Sequence, residues 1–217
     1  MNPHPLITYE VLTTPALPPY KGPLYEYWLH GGGVALRAER DGLRACIPVA
    51  AAPVRGLPVL TSTVQLGCPR VPAALTQWLF DRAYAARDPA GDSIEILFHL
   101  RWAGLRWRVD IPPQIGSAGS VYPTESGPGS SYAGALIEVH SHHGMAAFWS
   151  DTDDADEQGF RLYAVLGDIF QRPTLRVRVG IYGQFYELPA GTIFDLPVGV
   201  HTHATADPIH QEGATQP

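Results

Sequence analysis

The chain has 217 residues, 45% of them hydrophobic and 17% charged, a balance that suits one main folded domain with its own core and excludes a disordered polymer. A formal charge of −6, with only 15 Lys and Arg, argues against a nucleic-acid partner, whose phosphates need clustered cations. The N-terminus shows no basic segment followed by an apolar run, and no apolar run reaches the roughly 18 residues of a membrane span, so a cytoplasmic protein without a membrane partner is expected.

Residues 1–68 read as a β-rich N-terminal region. Its first 24 residues, including "TTPALPPYKGP", are rich in proline, which removes backbone donors and predicts a loosely held arm. "GVALRAERDGLRACIPVA" alternates apolar and polar residues on either side of "RDG", the pattern of a hairpin with glycine in its turn. The cysteines, Cys46 and Cys68, have no CxxC partner, so a thiolate zinc site is excluded and both are expected as reduced, small core residues. "VPAALTQWLFDRAYAARD" places Leu75, Leu79 and Tyr84 or Ala85 at near-helical spacing behind Pro72, predicting a helix over 72–88 with a first-turn proline.

"SIEILFHLRW" and "GLRWRVDIPP" predict two strands joined at Ala103-Gly104. Residues 116–131, "GSAGSVYPTESGPGSS", are too rich in Gly, Ser and Pro for a regular element; they are expected as a flexible loop, either ordering over an extended peptide or serving only as a spacer. "YAGALIEVHSH" then reads as a strand, "SDTDDADEQ" as a helix start, and "FRLYAVLG", "TLRVRVGIYG" and "QFYELP" as further strands. Residues 198–217 are expected as a flexible polar tail. Strands outnumber helices, which gives an α/β (α+β) fold class without internal repeats.

The segment with chemistry is "IEVHSHHGMAAFWSDTDDADEQ", residues 137–158. On a strand, alternate side chains share a face, so His140 and His142 point the same way and can grip one ion. Asp153 follows eleven residues after His142, far enough for a loop to return and present a carboxylate. Two imidazoles and one carboxylate form a catalytic-type metal set with an open position for water. Hydrolysis also needs a base, and Glu95, flanked by Ile94 and Ile96 in an apolar strand, is the acid whose setting calls for a reason. Ser150 stands close enough in sequence to donate to a developing oxyanion, yet Ser150-x-x-Asp153 is equally a helix-capping signal.

Other polar residues carry open readings. His143 could support a ligand, touch substrate, or close the site as a fourth ligand. Glu138 shares the face of His140 and His142 and could orient a ligand imidazole or face solvent, the reading favoured here. His99 is read as an ordinary strand histidine outside the site, "HTH" at 201–203 as tail, and Trp102, Trp107 and Trp149 as packing residues, with Trp149 also placed to line a cleft.

The string His-Ser-His, seven residues, Ser, two residues, Asp resembles the JAMM motif of the JAB/MPN metallopeptidases, in which a glutamate on an earlier strand, after a helix, completes the set. The resemblance implies that His140, His142 and Asp153 ligate one Zn2+ per chain, that Glu95 is the general base and that Ser150 stabilises the oxyanion. It also implies a JAB/MPN-like (cytidine deaminase-like) domain over residues 69–197, a curved mixed β-sheet flanked by helices, behind the β-rich extension. Most of that family has proline where His143 stands. The stretches "HSHHGMAAFWSDTDDADEQGFRLYAVLG", "RVGIYGQF" and "IPVAAAPVRGLP" resemble more narrowly the protein A family of the PRTRC mobile-element systems. That likeness implies a peptidase or isopeptidase acting after the C-terminus of a ubiquitin-like protein or on its conjugates, with E1-like and E2-like proteins of the same cassette as partners. The alternative within the same family is a non-catalytic scaffold. A repair factor like the JAMM-bearing RadC proteins ranks below both, because no basic patch is present.

Overall fold

The structure is a computed structural model that describes residues 5–22 and 24–202. It is a mixed α+β fold, rich in sheet. Strand β1 (Ile7–Val11) pairs in parallel with β2 (Tyr25–His30), which continues antiparallel into β3 (Gly33–Arg40), β4 (Leu43–Ala51) and β5 (Thr63–Leu66). The predicted hairpin is β3–β4, its turn closed at Asp41-Gly42 with Gly42 at φ 81°. The predicted N-terminal arm is instead anchored in part: Ile7–Val11 takes the sheet edge, a position where the nearby prolines need supply no ladder donors.

Helix α1 (Ala73–Tyr84) follows, with Pro72 at the N-cap rather than in the first turn, and it ends before residue 88. It buries Thr76, Leu79, Phe80 and Ala83, an i, i+3, i+4, i+7 stripe; of the residues expected on that face, Leu79 is buried and Leu75 partly buried, whereas Tyr84 is exposed.

The second sheet begins with β6 (Leu97–Ala103) and β7 (Arg106–Asp110), joined by Gly104 and Leu105, both left-handed as a two-residue hairpin turn requires. The stretch expected as a flexible loop is partly ordered. Here β8 (Gln114–Gly116) and β9 (Val121–Pro123) form a small hairpin, and α2 (Ser131–Gly134) is a single helical turn. Specific bonds compensate for the poor composition: the Gln114 side chain bonds both the Leu97 N–H and its carbonyl, and the backbone Ser117 N–H donates to the Ser120 carbonyl at 2.8 Å.

Then come β10 (Ile137–Ser141), α3 (Asp151–Asp156), β11 (Arg161–Gly167), β12 (Thr174–Ile181), β13 (Gln184–Leu188), a 3-10 turn at Ala190–Thr192, and β14 (His201–Thr202). The sheet order is β13-β12-β11-β10-β6-β7, with β14 on β12. The start of the expected tail is therefore a short strand; residues 203–217, including His203, lie outside the described residues. Within the described residues no helix is long and apolar enough to cross a membrane.

The alternation read from sequence divides this sheet into two unlike faces. Phe98 and Leu100, Ile137 and Val139, Leu162 and Ala164, Val177 and Val179 are in register on one face and fully buried. They share one core with Leu79 and Phe80 of α1 and with Leu36, Leu43 and Ile47 of the N-terminal sheet. The opposite face carries His99, Glu138, Tyr163 and Arg178 in register, with His140 and Arg161 each two residues along their strands, nearly all buried beneath α2, α3 and the β8–β9 hairpin. A sheet with one apolar and one buried polar face is the frame of the site.

Candidate metal centre

His140 and His142 leave the C-terminal end of β10 on the polar face. Their Nε2 atoms stand 3.1 Å apart, and Asp153 Oδ1 lies 3.2 Å from His140 Nε2 while Oδ2 lies 3.9 Å from His142 Nε2. One ligand atom from each of the three residues falls within 4.8 Å of the others, so the cluster can hold a metal ion. Both histidines are buried, at 5% and 4% exposure, which leaves the ring nitrogens few partners besides one another and the carboxylate.

Glu95 arrives by register. Because β6 runs antiparallel to β10 with His140 opposite Leu97, the residue two positions before Leu97 falls on the same face, level with His142. Glu95 thus precedes β6 instead of lying within a regular strand. Its N–H donates to the Ser117 carbonyl at 2.8 Å, and Ser141 Oγ accepts the neighbouring Ile96 N–H at 3.1 Å. A Cβ on Gly116 would collide with the Glu95 carbonyl oxygen, so the hairpin can lie this close only with glycine there. The Glu95 side chain is 3% exposed, lines the cleft beside the two histidines, and its Oε1 has no hydrogen-bond partner. An unpartnered buried carboxylate oxygen facing a cleft is a group waiting for a donor.

Ser150 closes the arrangement from α3. Its hydroxyl donates to Asp153 Oδ2 at 2.7 Å and accepts the Asp153 N–H at 3.1 Å, while the Ser150 N–H also donates to Oδ2 at 2.7 Å. This is a capping box with aspartate in the usual Glu position. The capping reading of Ser150 therefore holds geometrically, and the same contacts fix the Asp153 carboxylate against the histidines.

The electrostatics follow from burial and mutual approach. Burial pushes the Glu95 carboxyl up to about 7, helped by Asp153 and opposed by His140. Burial alone would depress His140, but its bond to Asp153 and the charges of Asp153, Glu157 and Glu95 outweigh it and raise it. His142 is lowered to about 4 by burial and by the charge of His140. Burial would raise Asp153, yet its bond and charge interaction with His140 and the two Ser150 bonds hold it below the usual carboxylate range. The cluster therefore combines an anionic Asp153 with a neutral His142, the forms that bind a cation.

His143, at φ 44°, turns away from the cluster; its Nε2 is 3.0 Å from the Ala83 carbonyl at the end of α1, so it ties the post-strand loop to the helix and is no fourth ligand. Glu138 is not solvated as expected. Its Oε2 lies 3.4 Å from both His99 Nε2 and Arg161 Nη1, because the sheet buries this face and the charge needs partners. His99 is fully buried, bonded through Nδ1 to Ser131 Oγ at 2.7 Å. Trp149 packs on Arg178, its ring 4.1 Å from the guanidinium, and Trp102 packs on Trp107. Cys46 is buried and Cys68 half-buried, both free.

Sequence reasoning missed two residues. Glu157, within the stretch expected only as a helix start, is 4% exposed, and Arg178, within a stretch expected only as a strand, is 3% exposed. The signal was the "RVRV" alternation in β12: a sheet covered on both sides cannot send its arginines to water. No protein-family model matches the chain, and no curated protein matches it in sequence.

Proposed function

We propose that this cleft is the centre of a zinc-dependent peptidase or isopeptidase of the JAB/MPN type, acting after the C-terminus of a ubiquitin-like protein. The observation that carries the reading is the convergence of His140, His142 and Asp153 with the unpartnered, buried Glu95 carboxylate, in the chain order and spacing of the JAMM pattern. The donor set fits zinc: two imidazole nitrogens and one carboxylate oxygen leave a fourth tetrahedral position. When bound, zinc would supply a Lewis acid and make water acidic enough to deprotonate near neutral pH.

The chain's own residues supply the rest. Glu95, raised to about 7, takes a proton from water and returns it to the leaving amine, a task that needs a pKa near the working pH. Asp153 is held by the two Ser150 bonds and keeps its charge. The Ser150 hydroxyl reaches a developing oxyanion by turning its proton away from Asp153 Oδ2, leaving that oxygen the backbone donor. The ubiquitin-like substrate, with E1-like and E2-like partners from the same cassette, is supported by the narrower sequence resemblance.

The test combines metal and turnover. Elemental analysis should find one zinc per chain, lost in His142→Ala, and a ubiquitin-like precursor from the same cassette should be cleaved. Glu95→Gln should retain zinc and lose about 10² or more in rate. Normal turnover by Glu95→Gln, or by protein stripped of metal, would overturn the mechanism.

A further inference from the structure

Glu157 sits one helical turn beyond Asp153, at the C-terminal cap of α3, and points beneath the metal cluster. Its two oxygens face different partners. Oε2 accepts from Arg178 Nε at 2.7 Å and Nη2 at 2.5 Å, while Oε1 lies 3.8 Å from His140 Nδ1. His140 is therefore addressed from both ends of its ring: Nε2 turns to Asp153 and His142, and Nδ1 turns to Glu157.

Arg178 is itself fixed. Its guanidinium lies 3.7 Å from the Phe185 ring centre and 4.1 Å from that of Trp149, and Nη1 donates to Asp154 Oδ1 at 2.5 Å. Burying an Arg–Glu pair strips both ions of their hydration before the attraction repays it, so stability alone is a weak reason for one here. Glu138, a further acid on the face of His140, is engaged by His99 and Arg161 and has not turned to the ligand.

We propose that Glu157, held in place by Arg178, is a positioning residue for His140: it draws the proton to Nδ1, fixes the ring's orientation and leaves the Nε2 lone pair directed at the ion. The inference rests on the metal-centre reading above. A carboxylate behind a ligand imidazole fixes its tautomer and raises its basicity, and losing such a partner costs about 10- to 100-fold in metal affinity.

The experiment measures zinc affinity by competition with a chromophoric chelator, the visible spectrum of the cobalt-substituted protein, and the melting temperature of the metal-free protein. Glu157→Gln, which keeps the shape but not the charge, should bind zinc about 10- to 100-fold more weakly and shift the cobalt spectrum. A lower melting temperature with unchanged affinity and spectrum would make Glu157 merely structural and overturn the proposal. If Glu157→Gln does not fold, Arg178→Lys carries the same test: it keeps a cation but not the fork, and unchanged zinc affinity there overturns the proposal too. A wild-type protein that binds neither metal would instead refute the metal-centre reading itself.

Discussion

Replacing Glu95 by Gln should stabilise the metal-free protein at pH 8 and leave it nearly unchanged at pH 4.5. The carboxyl is raised to about 7 from an ordinary 4.5, chiefly by burial. Below pH 4.5 it is protonated in both folded and unfolded chains, and Gln is its near-isostere. Between 4.5 and 7 the unfolded chain releases the proton while the folded chain retains it, so wild-type stability falls as pH rises through about 7. At about 1.4 kcal/mol for each tenfold change in acidity, the full gap bounds the penalty at roughly 3 kcal/mol. The side chain borders an open cleft, whose water screens part of this, so about 2 kcal/mol is the expected gain for Glu95→Gln at pH 8. For a chain of this size that raises the melting temperature by about 4–8 °C. Both proteins should be melted in excess EDTA at pH 4.5 and pH 8. A shift of the same size at both pH values, or a loss at pH 8, would show that Glu95 is not a buried, unpartnered carboxyl.

The position after the histidines offers a sharp backbone test. His143→Pro installs the residue usual in the resembling family, but proline needs φ near −65° where this chain has 44°, so the change should cost about 3 kcal/mol, seen as a lower melting temperature; unchanged melting would refute the geometry of this loop. Ser150→Ala removes the cap of α3 and one of two donors on Asp153 Oδ2, and should cost about 1 kcal/mol of stability and weaken zinc binding, with Ser150→Thr restoring both. Wild-type zinc affinity in the alanine variant would mean that Asp153 needs no support from that hydroxyl.

How far the sequence reached depended on how local the cause was. Period-two alternation put His140 and His142 on one face, and the glycine after Asp41 marked the β3–β4 turn, because both effects act within a few residues. The capping signal at Ser150 was equally local, and it is present. The β8–β9 hairpin was missed because its stability comes from Gln114 gripping Leu97, a contact seventeen residues away. Glu138 was assigned to water, and Glu157 and Arg178 were not singled out, for one reason: the cover over this face, seen in their burial and in the bonds from Arg178 to Asp154 and Glu157, is set by tertiary packing and not by local pattern. His143 departs from the resembling family's proline in sequence, and its left-handed backbone shows why proline is not tolerated there.

The convergence of three distant segments follows from one topological fact. Within the second sheet β10 and β11 are the adjacent strands that run parallel with a short connection, so the chain leaving the C-terminal end of β10 must cross back to the start of β11. That return carries α3 across the polar face, with its first turn beside the end of β10, which brings Asp153 to the histidines and Glu157 beneath them. On the other side, β6 is antiparallel to β10, so the same end of β10 meets the start of β6 and therefore Glu95. The ligands, the base and the residue behind His140 thus come from both sides of a single strand end. A shift of one residue in the β6–β10 register would turn Glu95 into the apolar core, and the site would lose its base while keeping every ligand.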